Sequence, residues 1–340
     1  MPGRVSAVLI NWNGGEMARR CLASLLEQTH QVDQRIVVDN GSTDGSLEEL
    51  AGIDPQLDRI HNSTNRGFAV AANQGIAAAS GEWVLLLNQD IELEPDYVAR
   101  LLAAGEGDAR VGSLTGKLLR RSSAGETPAV VDSTGHILYR NGWASNRGEG
   151  LPDQADWDRP GEVFGVSAAA ALYRRSMLSE VSEGSAQPFD ERFFAYIEDV
   201  DLDWRARWLG WTSWYEPVVA WHHRGGSGAR RSPATLRHIL RNRLLLVANN
   251  DLWPGSLTRL PGVLALTLIT ALQFGLESPG ALRGLTDAFR LLPASQARRR
   301  FLRLRASREP REVAAWMRAF PYRDVLRGRL FGGRRRAAAG

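Results

Sequence analysis

Carboxylate and amide side chains recur in this sequence where apolar runs stop. Leu85-Leu86-Leu87-Asn88-Gln89-Asp90 passes from three leucines through a polar step to a carboxylate. Arg35–Val38 runs in the same way into Asp39-Asn40-Gly41-Ser42-Thr43-Asp44-Gly45-Ser46. An apolar run that ends so abruptly reads as a buried parallel strand whose carboxyl end opens into a cleft, the place where open α/β sheets bind ligands. Asp39 and Asn40 have the chemistry to contact a base or ribose edge, and the helix that follows favours negative charge at its start. A third cluster, Glu198-Asp199-Val200-Asp201, begins a helical pattern that continues through Trp204, Arg205 and Trp208 to Gly210. Capping accounts for one of these acids. Three of them beside Phe193, Phe194, Tyr196 and Ile197 make the group a candidate general base. His222 and His223 follow directly on a strand-like run, where imidazoles are poor core filler.

These groups need a scaffold, and the flanking residues describe one. Arg4–Ile10 reads as a first buried strand ending at Asn11-Trp12-Asn13, followed by a helix with Met17, Cys21, Leu22, Leu25 and Leu26 on one face. A short third strand, Arg59–His61, leads to Asn65-Arg66-Gly67-Phe68. Gly67 permits a close backbone approach, and the small-residue helix Ala69–Ala79 carries Asn73 and Gly75. Glu82–Leu87 is the fourth strand. Four strand–helix units in succession predict a Rossmann-like, mostly parallel α/β sheet flanked by helices. A helix over 95–104, hairpins and a cleft-covering loop over 130–160, a strand over 165–173 and a helix over 174–181 complete it. No Gly-x-Gly-x-x-Gly or Walker A pattern follows the first strand, which argues against a dinucleotide or P-loop site.

A single cysteine, Cys21, excludes an internal disulfide framework and a cysteine-based zinc site, and suits a reducing cytosol. The net charge of +4 conceals an asymmetry, because residues 283–340 hold 16 Arg against 4 acids, or +12. The first 282 residues therefore carry −8, from 4 − 12. The chain divides into a catalytic domain over 1–230, a helical, arginine-rich extension over 231–333 and a disordered tail over 334–340. Within the extension, Leu260–Leu276 runs 17 residues without a charge. It reads as a helix buried on the catalytic domain or in a homodimer, as a helix lying in a membrane interface, or as a bilayer span. The arginines interleaved with Phe301, Leu302 and Leu304 suit anionic lipid headgroups or a solvated basic face. No nucleic-acid-binding motif accompanies them.

Taken in order, Ile10-Asn11-Trp12-Asn13, Val38-Asp39-Asn40-Gly41-Ser42, Asn65-Arg66-Gly67-Phe68-Ala69, Asn73-Gln74-Gly75, Asn88-Gln89-Asp90, Phe189-Asp190-Glu191-Arg192-Phe193-Phe194, Glu198-Asp199-Val200-Asp201 and Trp221-His222-His223 resemble the family 2 glycosyltransferases of GT-A fold. The resemblance is strongest to their rhamnosyltransferase-like branch, and it covers about two-thirds of the chain. It implies inverting transfer from a nucleotide-diphosphate sugar to an acceptor hydroxyl. By carry-over, Asp39 and Asn40 would contact the base and ribose, with Asn11, Asn65, Gly67 and Asn73 lining the nucleotide pocket. Asn88-Gln89-Asp90 would stand for the family's Asp-x-Asp step, Asp90 binding Mg2+ or Mn2+ with His222 as a further ligand and His223 as the less favoured one. Asp199 would be the base, and Glu198 and Asp201 would orient neighbouring groups. Asn88 in place of the first acid points to dTDP-rhamnose as donor. The implied acceptor is a cell-surface glycan or a polyprenyl-diphosphate-linked one, met at the inner face of the plasma membrane.

Two rivals predict different features. A nucleotidyltransferase would show a glycine-rich, lysine-containing loop after the first strand, where this chain has Asn11-Trp12-Asn13-Gly14-Gly15. A catalytically silent nucleotide- or glycan-binding module, suggested by Asn88, would have no reason to keep Asp90, Asp199 and His222 together.

Overall fold

The computed structural model describes residues 3–121, 129–182, 187–223, 232–252 and 255–322. The expected disordered tail over 334–340 lies outside them.

The N-terminal half alternates strand and helix: β1 (Val5–Asn11), α1 (Gly15–Leu26), β2 (Gln34–Asp39), α2 (Ser46–Ile53), β3 (Asp58–His61), α3 (Phe68–Ala78) and β4 (Trp83–Asn88). Next come β5 (Ile91–Leu93), α4 (Tyr97–Glu106), β6 (Val111–Arg120), β7 (Val130–Ser133), β8 (His136–Leu138), β9 (Ala144–Asn146), β10 (Gly161–Val163), β11 (Ala170–Arg174) and α5 (Arg175–Glu180). The chain then forms α6 (Glu198–Trp208), β12 (Thr212–His222), α7 (Pro233–Asn250), α8 (Gly255–Glu277), α9 (Arg283–Arg305) and α10 (Pro310–Ala315).

The main sheet has the order β10-β12-β6-β11-β4-β1-β2-β3, with β5 added on β12 and β7 on β6. β4, β1, β2 and β3 are parallel neighbours, as the alternation predicts, and β12 is parallel to β6. β11 enters antiparallel between β4 and β6, so the sheet is mixed on that side. Register aligns the tips: Asn11 pairs with Asp39, and Ile10 with Asn88.

Both faces of the sheet are covered. Leu9, Leu85 and Leu87 pack with Cys21, Leu22, Tyr97 and Leu101 on one side. Val8, Ile10, Val84 and Leu86 pack with Ala69, Ala72, Ile76 and Leu202 on the other. Burial on both sides is what makes these strands read as continuous apolar runs. Small residues in α3 are required, because a Cβ at Gly75 would lie 2.2 Å from Val8 Cγ1.

The C-terminal helices are built into this body. Leu245, Leu246, Leu252 and Leu302 share a core with Phe193, Val200, Trp204 and Trp208. Arg243 of α7 is buried; it donates to Thr267 and to the carbonyls of Asn141 and Val263. Arg298 of α9 reaches Asp201 at 3.3 Å and Asp190 at 3.6 Å. Asp201 is fully buried and also pairs with Arg205, Asn249 and Asn250. Removing one member of a buried ion network leaves charge uncompensated in a low-dielectric interior. Arg298→Ala should lower the unfolding free energy by about 3 kcal/mol in urea denaturation, near the low end for an opened buried pair because Arg205 stays on Asp201.

Candidate active site

The tips of β1, β2 and β4 carry an amide–carboxylate lattice. Asp39 is completely buried and accepts from Asn11 Nδ2 at 2.9 Å, from the Ser42 amide at 3.1 Å and from the Ser42 hydroxyl at 2.5 Å. His61 Nδ1 lies 3.0 Å from its other oxygen. Asn40 donates to the Gly67 carbonyl and to Asn65, and accepts from Asn62 and the Arg66 amide. Asn65 in turn accepts from the Gly67 amide at 2.9 Å. Gln89 grips the Trp12 backbone from both sides, accepting from its amide at 2.5 Å and donating to its carbonyl at 3.0 Å. That two-point grip ties the loop after β1 to the loop after β4 and leaves the Trp12 side chain exposed.

Asp90 and His222 meet across β5. His222 pairs with Ile91 in register, and Nε2 lies 3.2 Å from Asp90 Oδ2. The other ring nitrogen, Nδ1, lies 2.7 Å from Asp132 Oδ2 on β7, and Arg120 holds Asp132 from behind. A carboxylate on Nδ1 orients an imidazole so that Nε2 can serve a cation. Burial opposes protonation of His222, but Asp132 and Asp90 together push it up to about 9. Asp90 Oδ2 and, once its proton is displaced, His222 Nε2 would offer a divalent ion one oxygen and one nitrogen. Among the described residues no group of three or more His, Cys, Asp or Glu could hold a metal alone. His223 is turned away, its Nε2 3.0 Å from Glu92.

Asp199 stands at the start of α6 with its side chain 16% exposed. Its oxygens accept from the amides of Ala168 at 3.2 Å and Val200 at 2.9 Å. His136 Nε2 lies 3.5 Å from Asp199, and His136 Nδ1 lies 2.7 Å from Asp203. Burial lowers the affinity of His136 for its proton, but Asp199 and Asp203 outweigh it and hold the imidazole above its ordinary value. Asp203 is pushed up to about 6, chiefly by burial. Glu198 is buried, and burial followed by the charge of Asp199 raises it well above the carboxylate range. Burial thus favours the neutral form of Glu198, and Asp199 is the more exposed carboxylate of the two.

The two histidines are linked by chain length. Asp132 and His136 are four residues apart, so their Cα atoms lie at most ~14 Å apart. Asp132 holds the Asp90–His222 edge and His136 holds Asp199. A second link runs through the residues just before β11: the Ala168 amide donates to Asp199, and the Ala169 carbonyl accepts from the Asn88 amide at 2.9 Å.

Several expected assignments change. Asn73 is buried, donating to the Phe189 carbonyl at 2.8 Å and accepting from its amide at 2.9 Å. It is a strut between α3 and that segment, and we correct its placement in the nucleotide pocket. Asp201 points into the α7–α9 network rather than the cleft, which corrects its expected role beside Asp199. Gly67, at φ +87°, makes room for Phe194, whose carbonyl would lie 2.5 Å from a Cβ there. Sequence reasoning missed Asp132, His136 and Asp203. Asp132-Ser133-Thr134-Gly135-His136 was legible as a polar step, but nothing local ties it to residues 63 to 90 positions away.

The matching family model, Glycosyl transferase family 2, covers residues 6–182. The chain belongs to glycosyl transferase family 2. This glycosyltransferase is 31% identical over 251 residues to the N-acetylglucosaminyl-diphospho-decaprenol L-rhamnosyltransferase of Mycobacterium tuberculosis, covering 67% of this chain and 78% of that one. It is 30% identical to the putative glycosyltransferase EpsH of Bacillus subtilis, over 56% of this chain and 54% of that one. Its fold is GT-A, like that of the mannosyltransferase PcManGT from Pyrobaculum calidifontis, solved with GDP-Man and Mn2+ (TM-score 0.52, 16% identity, 89% and 85% of the two chains). Residues 1–349 of S. aureus TarS are similar over 97% and 93% of the chains (TM-score 0.52, 17% identity).

The His136 contacts give this transferase a pH signature. A raised folded-state pKa contributes stability that is complete below the unfolded value and disappears as pH rises through the folded one. The Asp203 shift acts below that window. His136→Gln should therefore lower Tm most at and below about pH 6, and the gap to wild type should narrow as scanning calorimetry moves upward from pH 6.5.

Proposed function

We propose that this glycosyltransferase transfers L-rhamnose, with inversion, from dTDP-rhamnose to a hydroxyl of a polyprenyl-diphosphate-linked glycan. The observation that carries the mechanism is the separation of duties between two imidazole-backed sites. Asp90 and His222 lie 3.2 Å apart at one, and Asp199 is the accessible carboxylate at the other. The lipid-linked acceptor and the sugar are favoured by the Mycobacterium tuberculosis relative, whose name specifies a decaprenol-linked N-acetylglucosamine and L-rhamnose.

In this reading Asp39, Asn40 and Asn11 frame the base and ribose, with Asn65 and Gly67 closing the same corner. Asp90 and His222 would hold Mg2+ or Mn2+, which supplies positive charge against the departing diphosphate. Asn88 would contribute a neutral amide beside them, one negative charge fewer than an acid. Asp199 takes the proton from the acceptor hydroxyl as its oxygen bonds to the anomeric carbon and the bond to the diphosphate breaks. A single displacement from the face opposite the leaving group inverts the anomeric centre. It needs no second carboxylate nucleophile, unlike a double displacement.

The exposed face of α8 supports a place of work at a membrane surface. Leu257, Leu264, Leu268, Leu272 and Leu276 are exposed, while Val263, Leu266, Thr270 and Phe274 on the opposite side are buried against the protein. The helix is long and apolar enough to cross a bilayer by length and composition, with 28% of its most apolar window buried. Packing of one side on the protein favours a helix lying in the cytoplasmic interface over one that spans. The +12 charge of residues 283–340 favours anionic lipid there.

Asp199→Asn should reduce kcat at least ~100-fold with Mn2+-dependent dTDP binding retained, measured by single-turnover assay and calorimetry. Retained turnover would remove Asp199 from the role of base, and a product with the donor's own anomeric configuration, read by NMR, would remove inversion. Leu264→Glu with Leu268→Glu should abolish flotation with phosphatidylglycerol vesicles while leaving Tm within a few degrees. Wild-type flotation of that variant would refute the membrane face.

A further inference from the structure

The turn that delivers Asp199 is held in a conformation its own residues disfavour. Phe194 has φ 64° and ψ −66°, and the Ala195 amide donates to the Phe193 carbonyl at 2.7 Å. That is a γ-turn of the rare positive-φ kind. Tyr196 and Ile197 follow with φ of 73° and 71°. Three non-glycine residues out of four therefore occupy positive φ immediately before α6, one of them β-branched. Such geometry persists only where surrounding structure over-determines it.

The restraint comes from α7, beyond the segment matched by the family model. Asn242 is completely buried, and its Nδ2 donates to the carbonyls of Phe193 at 3.0 Å, Ala195 at 2.8 Å and Tyr196 at 2.7 Å. Two hydrogens shared among three carbonyls pin three of four consecutive peptide planes from one point. The amide cannot be reversed, because Arg241 Nε donates to Asn242 Oδ1 at 2.9 Å and Arg241 Nη2 donates to the Phe193 carbonyl at 2.6 Å. His238, one turn earlier on the same helix, stacks on the Phe194 ring with centroids 5.0 Å apart. The Ile197 carbonyl then accepts from the Asp201 amide at 3.0 Å and starts α6, whose second residue is Asp199.

We propose that Asn242 is a positioning residue for the transfer step: by fixing the 193–197 turn, it sets where the Asp199 carboxylate stands relative to the acceptor hydroxyl. The inference rests on Asp199 being the base. It adds that the geometry of that base is set by a residue touching neither substrate nor metal.

The test compares Asn242→Ala, Asn242→Ala with Tyr196→Gly, and Asp199→Asn in the full chain, using dTDP-rhamnose with a short-chain polyprenyl-diphosphate N-acetylglucosamine. Asn242→Ala should lower kcat at least tenfold while donor KM and the Mn2+-dependent affinity for dTDP stay within twofold. Glycine at the exposed position 196 accepts positive φ without strain, so the double variant should recover at least threefold of the lost kcat. A role in stability alone would lower Tm without splitting kcat from KM. If Asp199→Asn is inactive and Asn242→Ala keeps kcat within twofold, the inference is overturned and the base assignment stands. If Asp199→Asn turns over like wild type, both fall. Should Asn242→Ala not yield folded protein, Asn242→Ser keeps one donor: a kcat at least threefold down with unchanged dTDP affinity supports the inference, and a wild-type kcat overturns it.

Discussion

The site depends on two imidazoles each caught between two carboxylates. His222 stands between Asp90 and Asp132, and His136 between Asp199 and Asp203. Removing an imidazole from water disfavours its charged form, yet both rings here are raised above the ordinary value, so the acids win. Each contact also fixes which nitrogen faces the cleft. The four-residue interval from Asp132 on β7 to His136 on β8 places the two arrangements on consecutive strands.

The rest of the architecture supplies rigidity to this pair of contacts. Parallel strands buried on both faces set the tips of β1, β2 and β4 in register, which brings Asn11, Asp39 and Asn88 to one edge. β12 crosses to bring His222 beside β5, so residues over a hundred positions apart meet at 3.2 Å. Asp203 packs where only glycine fits: a Cβ at Gly165 would lie 1.8 Å from its carboxylate.

The strand–helix alternation was legible because buried strands and one-sided helices have different periods. The placement of Asp39, Asp90, Asp199 and His222 at strand and helix ends was legible too, because each interrupts an apolar pattern. Asn73 and Asp201 carried the same polar signal but face inward, where their partners are a backbone segment and an arginine from α9. Sequence pattern reports that a polar group is unusual at a position, not which of two neighbouring cavities receives it. Asp132 and His136 were illegible for the converse reason: their role exists only through long-range pairing. The short β5 was missed because Ile91–Leu93 is stabilised by β12 rather than by its own pattern.

The ion network of Asp190, Asp201 and Arg298 bears on how this chain could diversify. Its acids lie on the segment before and within α6, and its arginine on α9. Recombination that exchanged the C-terminal helices between relatives would remove the Arg298 contact and leave each acid one cation, Arg192 on Asp190 and Arg205 on Asp201. A grafted tail would have to restore a cation at that position to recover what the exchange removes.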